Sequence, residues 1–528
     1  MSQLLHHLLF DQAEKRPLSQ ALGVKSQCYD YASVALHVKS VAAGLQSLGL
    51  LRSERVAVYL PKTAEAVFSY FGATAAGGVM VPVNPVLKAP QVLHILTDCK
   101  AKILITNKAR YKQVEGSLQD CPDLYHVILV DGHSEEERTS LVTNWTDFLM
   151  EASLWDESAA IDMDMAAILY TSGSTGKPKG VILSHRNMVA GAHSVAEYLE
   201  NNEQDKLLCV LPFSFDYGFS QLTTAFASGA SCYLLEYLLP TDIIKQVAQQ
   251  KITGLALVPP LWVQLSEMNW PEEAAACLRY FTNSGGAMPT STLTALRNKI
   301  PAASPYLMYG LTEAFRSSYL PPEEIDARPN SMGKAIPNAE LLVINENGQP
   351  CKAHEPGELV HRGSLVALGY WNDIERTAER FKPAPLSIQE IPTSELAVWS
   401  GDIVTQDEEG YLYFVGRKDD MIKTSGYRVS PSELEELLYA SGLVSEVVAI
   451  GVPHHRLGQA IVLIVVPVND EPFEEKVVIK HFQKYMPSYM VPSRVVTQNA
   501  LARNPNGKID RKALASEYGN LFVSGENE

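Results

Sequence analysis

From Ser33 to about Thr106 the apolar positions alternate between two rhythms. Helix-like segments such as VALHVKSVAAGLQSLGL and AVFSYFGATAAGG are separated by short β-rich runs, RVAVYL and VMVPVNP. That alternation predicts α/β layering, with helices packed on a sheet. It resumes at KLLCVLPFSFD, ASCYLLEYL, ITGLALVPP and the helical STLTALRNKI, which predict a second α/β layer in the same large body. After Ser331 the texture changes to short strands with turn signals, ELLVINENGQP, GELVHRG and GYLYFVGRKDD, as expected of a β-rich subdomain. KPAPLSIQEIPTSEL, with its three prolines, predicts an exposed loop. Past Asp420 a compact segment with the helix PSELEELLYA and the strands EVVAIGVP and AIVLIVVPV has the size of a small α/β domain. The polar pair Asp419 and Asp420 marks the expected boundary, giving domains 1–418 and 419–528.

Length agrees with more than one domain, because 528 residues exceed what one hydrophobic core normally supports. The 46% hydrophobic and 20% charged residues are those of an ordinary globular chain. A net charge of -16 argues against nucleic acid or an anionic membrane as the main partner, so any anionic ligand must be held by local groups. The seven cysteines are scattered and never spaced as CxxC, which points away from a disulfide framework and a zinc site and fits a cytoplasmic protein. No signal peptide and no membrane span is expected, since no apolar run approaches about 18 residues. His454 and His455 adjoin each other in a turn with no third ligand near, and His6 and His7 have still less claim to a metal.

One stretch departs from this ordinary texture. AAILY reads as a buried strand, and the residues after it, TSGSTGK, offer backbone amides and the hydroxyls of Thr171, Ser172, Ser174 and Thr175 to phosphate oxygens. Lys177 and Lys179 add positive charge. The stretch is not GxxxxGK[ST], because Thr171 stands where the first glycine would and proline follows Lys177. On composition alone a flexible surface loop explains it equally well. The chain carries further polar, glycine-marked stretches in order: TNSGGAMP, MYGLTEA, SGDIV, GRKDDMIKTSGYRVSPSELEE and NPNGKIDRKAL. Singly each has a bland reading as a cap, a turn or a charge run. Their company does not.

The ordered set resembles the AMP-forming adenylate-forming superfamily of acyl-CoA synthetases, peptide-synthetase adenylation domains and luciferases, over nearly the whole chain. YGLTEAFRSSYLPPEEIDARPNSMGKAIPNAE and VPPLWVQL look more narrowly like acyl-CoA ligases associated with exosortase A systems. The resemblance implies a large N-terminal body and a small mobile C-terminal domain. It implies that Thr171, Ser172, Gly173, Ser174, Thr175 and Gly176, with Lys179, cover the β and γ phosphates of ATP. Gly285, Gly286 and Ala287 would lie along the adenine, with Tyr309 stacking on it and Gly310 also binding the nucleotide. Thr312 would touch the α-phosphate, Glu313 would ligate Mg²⁺, and Asp402 and Arg417 would hold the ribose. Lys508 would sit between the substrate carboxylate and the α-phosphate. Asp419 matches the family's hinge, and rotation about it would bring the Lys423 to Gly426 face to the site for a thiol of coenzyme A or of carrier-protein phosphopantetheine.

The chemistry makes that set intelligible. A carboxylate attacking the α-phosphorus brings two anions together, and the transition state concentrates negative charge on equatorial oxygens. No side-chain nucleophile is required. Two readings of LPFSFDYGFSQL stay open. Phe215, Asp216, Tyr217 and Gly218 stand where many acyl-CoA synthetases carry a histidine-containing FHxxG, which places Asp216 and Gly218 at the acid pocket, and the aspartate resembles amino-acid-activating members that pair it with the substrate ammonium. Asp216 would otherwise cap a helix or pair with a donor of the protein. The expected activity is therefore an ATP-dependent acid:thiol ligase acting on a small carboxylic acid, with aminoacyl loading of a carrier protein as the alternative. A nucleotide-binding relative without catalysis would lack Lys508, Glu313 or Asp402, and all are present.

Overall fold

The computed structural model of the protein describes residues 3–132, 141–150, 155–157, 159–171, 178–386, 390–418, 420–424, 427–454, 457–468, 473–505 and 507–522. The expected alternation is observed: helix Tyr31–Ser47, strand Arg55–Tyr59, helix Ala64–Ala75 and strand Val79–Pro82 follow one another. Each helix starts at a side chain that accepts from an otherwise unpaired amide, Asp30 from Ser33 and Thr63 from Ala66. The strands join a sheet in the order Gly369–Tyr370, Lys179–Ser184, Met165–Thr171, Val79–Pro82, Arg55–Tyr59, Ala101–Thr106, His126–Leu129, Val142–Asn144. Met165–Thr171 and Lys179–Ser184 are antiparallel, with Thr171 opposite Lys179.

A second sheet has a parallel centre, Ser231–Leu234, Lys206–Cys209, Gly254–Leu257, Tyr280–Asn283 and Ser304–Tyr309. Helices Ala64–Ala75 and Asp216–Ser228 contribute to one core, where the rings of Phe71 and Phe219 stack. The β-rich region is not a separate layer. Ser331–Ala335 pairs on one side with Ser318–Leu320 and on the other with Leu412–Arg417, so Leu396–Gln406, Gly357–Gly363 and Ala339–Ile344 extend the second sheet. In the proline-bearing stretch Phe381–Pro383 pairs with the start of Leu396–Gln406, and 390–396 are exposed.

The C-terminal part has a five-stranded sheet of its own, built on the antiparallel pair Val444–His454 and Gly458–Pro467. Side chains alternate across a strand. Val447 and Ala449 therefore pack with Leu434, Leu438 and Phe482 on one face, while Val448, Ile450 and Val452 pack with Leu501 and Leu514 on the other. Two faces covered by different helices are what let so short a segment hold its own core. No described helix is long and apolar enough to cross a membrane.

Candidate functional site

The site lies where the ends of strands in the second sheet meet the first sheet's Lys179 and the C-terminal Lys508. Strand Tyr280–Asn283 runs into Ser284 and Gly285, whose φ of +82° is a left-handed conformation that favours glycine. A side chain there would also come within 3.2 Å of Lys508 Cε, so the glycine leaves the lysine its path. Asn283 Nδ2 donates to the Gly286 carbonyl at 2.9 Å and fixes the turn that continues to Ala287. Lys508 is held by its backbone: its amide donates to Asn504 Oδ1 at 3.1 Å, and its carbonyl accepts from the Asn504 amide at 2.8 Å. The segment docks on the large body through Asn84 Nδ2, which donates to the Pro505 carbonyl at 3.3 Å. The ammonium stands 5.4 Å from the centre of the Phe215 ring. Burial lowers the Lys508 pKa, against the opposing charges of Asp216, Asp402 and Glu313.

Strand Ser304–Tyr309 ends at Gly310, followed by the short turn Thr312–Ala314. The turn presents Glu313, whose Oε1 accepts from Lys179 Nζ at 3.2 Å and from the Tyr370 hydroxyl at 2.5 Å. Lys179 Nζ also reaches the Tyr370 oxygen at 2.9 Å and lies over its ring. Burial lowers the Lys179 pKa. In Glu313 burial raises the pKa, but Lys179 and Tyr370 outweigh it and leave the carboxyl below its ordinary value. An ionised carboxylate of this kind fits a hard divalent cation such as Mg²⁺. Thr171, at the end of its strand, carries a buried hydroxyl without a partner among the described residues, next to the phosphate loop expected from the sequence. Residues 172–177 of that loop lie outside the described residues, as do Asp419 and Gly426. Lys423 is on strand Ile422–Thr424, opposite Arg428.

Asp402 and Arg417 face each other across neighbouring strands, Oδ1 to Nε 3.0 Å, and the Tyr309 hydroxyl donates to Asp402 Oδ2. Burial raises the Asp402 pKa, with Arg417 and Tyr309 opposing it. Ser400, where the family pattern has threonine, donates to the Leu359 carbonyl and accepts from the Asp402 amide, which fixes the turn before the carboxylate.

Asp216 opens the helix Asp216–Ser228 and is almost wholly buried. Its Oδ2 accepts from Arg316 Nη1 at 2.9 Å, and Thr312 Oγ1 lies 3.4 Å from its Oδ1. Of the two readings left open by the sequence, the structure therefore contains the internal cation. Gly218 has a packing role: a side chain there would meet the Pro212 carbonyl at 2.1 Å. Arg316, Tyr370 and Arg380 were not singled out from the sequence. Arg316 stands inside the YGLTEAFRSS stretch, where an arginine between apolar and small residues was the available signal. Tyr370 and the Arg380 of ERTAERF had none. Arg380 acts electrostatically on Lys179, Tyr370 and Asp402.

Among the described residues of this cleft the cations Lys179, Arg316, Arg380, Arg417 and Lys508 outnumber the carboxylates Asp216, Glu313, Asp402 and Asp420. A large α/β body and a small domain that meet at such an excess of positive charge form a two-domain enzyme architecture suited to anions. The chain belongs to the AMP-binding enzyme family, whose model matches residues 9–371; the model of the AMP-binding enzyme C-terminal domain matches 433–508. It is similar to 4-coumarate-CoA ligase 1 of Narcissus pseudonarcissus, 28% identical over 506 residues that cover 93% of this chain and 89% of that protein. It is also 29% identical, over 98% of its length, to tyrocidine synthase 3 of Brevibacillus parabrevis, a far longer protein of which it spans 8%. The crystal structure of ATP-bound MatB from Rhodopseudomonas palustris superposes with a TM-score of 0.87 at 26% identity, covering 99% of this chain and 100% of that one. The apo form of the same protein superposes over the same shares at 0.77.

Proposed function

We propose that the chain condenses a carboxylic acid that lacks an amino group with ATP, forming an acyl-adenylate and pyrophosphate, and passes the acyl group to the thiol of coenzyme A. One observation carries the choice of acid: the Asp216 carboxylate is already matched by the Arg316 guanidinium 2.9 Å away. An ammonium is not needed to compensate it, and burying a second cation there would cost desolvation without a free partner. Similarity to a CoA ligase along most of that protein's length supports coenzyme A as acceptor.

In this reading the acid oxygen attacks the α-phosphorus and pyrophosphate leaves with the bonding pair. Lys508 holds the carboxylate and the α-phosphate together and neutralises charge as it develops. Thr312 donates to the α-phosphate, Asp402 and Arg417 hold the ribose, and Tyr309 packs on the base. Lys179 leaves Glu313 for a phosphate oxygen, and Glu313 is then free to hold Mg²⁺, which when bound lowers the charge on the triphosphate. The thiol next attacks the acyl carbon and AMP departs. That step asks Lys508 to withdraw, by a rotation about Asp419 that brings Lys423 and Gly426 inward.

A pyrophosphate-release screen across alkyl, aromatic, oxygen-substituted and amino acids, with and without coenzyme A, tests the proposal. Release with acids lacking an amino group, and an acyl-CoA product, is expected. Release with amino acids alone, and no CoA thioester, would replace it by carrier-protein loading.

A further inference from the structure

Arg316 has more hydrogen-bonding capacity than the protein around it uses. Nη1 donates to Asp216 at 2.9 Å and to the Phe315 carbonyl at 3.0 Å. Nε and Nη2 are buried and have no partner among the described residues, on a side chain only 2% exposed. Guanidinium donors form a rigid planar fork, and a buried donor left unmet is costly. The group cannot easily turn to improve its pairing. Its face lies 4.9 Å from the centre of the Tyr217 ring, and the Tyr217 hydroxyl is held by Thr282 at 2.5 Å. The backbone is committed as well. Phe315 has a φ of +58°, a strained conformation for a phenylalanine, and its ring is fully buried against Gly191, where a side chain would come within 2.4 Å of Cδ1. Strain of this kind persists where the surroundings enforce it, and it clusters at ligand sites. A locked guanidinium whose Nε–Nη2 edge no described residue meets is thus paired with Asp216, whose other oxygen lies 3.4 Å from Thr312 Oγ1.

Resting on the acyl-CoA ligase reading above, we propose that Arg316 determines acid specificity. Its Nε–Nη2 edge receives a second oxygen on the acyl chain, so the substrates are hydroxy, oxo or dicarboxylic acids rather than unsubstituted alkyl acids. Side-on pairing of a guanidinium with one or two oxygens supplies both strength and orientation. An alkyl chain at the same place would leave both donors dry and unmet, which is how a site built for a hydrogen bond rejects the analogue that lacks it.

The test compares matched acids of equal chain length: the alkyl parent, its hydroxy and oxo derivatives, and the corresponding diacid. Acyl-CoA formation is followed by kcat/KM, and acid binding by calorimetry with a non-hydrolysable ATP analogue. At least one oxygen-bearing acid should exceed its parent by about 10²-fold or more in the wild-type enzyme. The paired change Asp216→Asn with Arg316→Met removes both charges together, and Arg316→Lys keeps a charge but not the fork. Both should collapse that ratio toward one, in turnover or, where turnover is lost, in binding. Parity between the alkyl parent and every oxygen-bearing acid in the wild type, or a preference that survives both variants, would overturn the proposal while leaving the ligase reading intact. Absence of any CoA thioester from acids without an amino group would instead remove the ligase reading.

Discussion

Two ion pairs share one cleft and differ in almost everything but length. Lys179 and Glu313 are 3.2 Å apart, with side chains 21% and 13% exposed; Arg316 and Asp216 are 2.9 Å apart, with 2% and 5%. The first joins a flexible point charge to a carboxylate that also takes a tyrosine hydroxyl, so either member can change partners when an anion or a cation arrives. The second joins a planar fork to a helix-start aspartate beneath an aromatic face, and is built to stay. In the proposed reading the first pair answers the nucleotide and the second borders the acid.

The sharpest contrast is in stability. Asp216→Ala strands a buried guanidinium and should cost about 3–5 kcal/mol, whereas Asp216→Asn with Arg316→Met should stay within about 1–2 kcal/mol of the parent. Denaturant unfolding of the three proteins measures this; equal losses would mean that the pair is not the source. Glu313→Gln should cost less than Asp216→Ala, because the glutamine oxygen can still accept from the Tyr370 hydroxyl and Lys179 keeps the Tyr370 oxygen. The same change should abolish the Mg²⁺ dependence of pyrophosphate release and slow it by about 10²-fold, the scale of losing one preorganised charge contact. Retained Mg²⁺ dependence would move the metal elsewhere.

How far the sequence reveals these differences depends on distance along the chain. The layers from Tyr31 to Pro82 are legible because each helix and strand declares itself within one window. The joining of the β-rich region to the second sheet is not, since Ser331 pairs with Tyr413, some eighty residues on. The site divides the same way. Asp402 and Arg417 are marked by local motifs, yet their opposition follows from strand register. Asp216 stands out as a departure from pattern, but its partner is a hundred residues downstream and carries no motif. Tyr370 and Arg380 enter the site through folding alone, from the strand Gly369–Tyr370 and the end of the helix Ile374–Arg380, neither of which carries a motif.

A smaller effect is expected in protonation. Burial depresses the Lys508 pKa in the ligand-free cleft, so the cost of enclosing its charge is present below that depressed value and fades as pH rises through it. Anionic ligands restore the charged form. Binding of ATP and acid should therefore take up protons in alkaline buffers just below the ordinary lysine value of about 10.4, visible as binding heats that depend on the buffer's ionisation enthalpy. Heats independent of the buffer would mean that Lys508 stays charged throughout.

In the proposed reading Lys508 spans the nucleotide side and the acid side of the cleft, and only for the first half-reaction. Lys508→Ala, assayed for pyrophosphate release and separately for thioester formation from supplied acyl-adenylate and coenzyme A, tests this most directly. Release should fall by about 10²- to 10³-fold while thioester formation persists. Equal loss of both steps in a folded protein would contradict it.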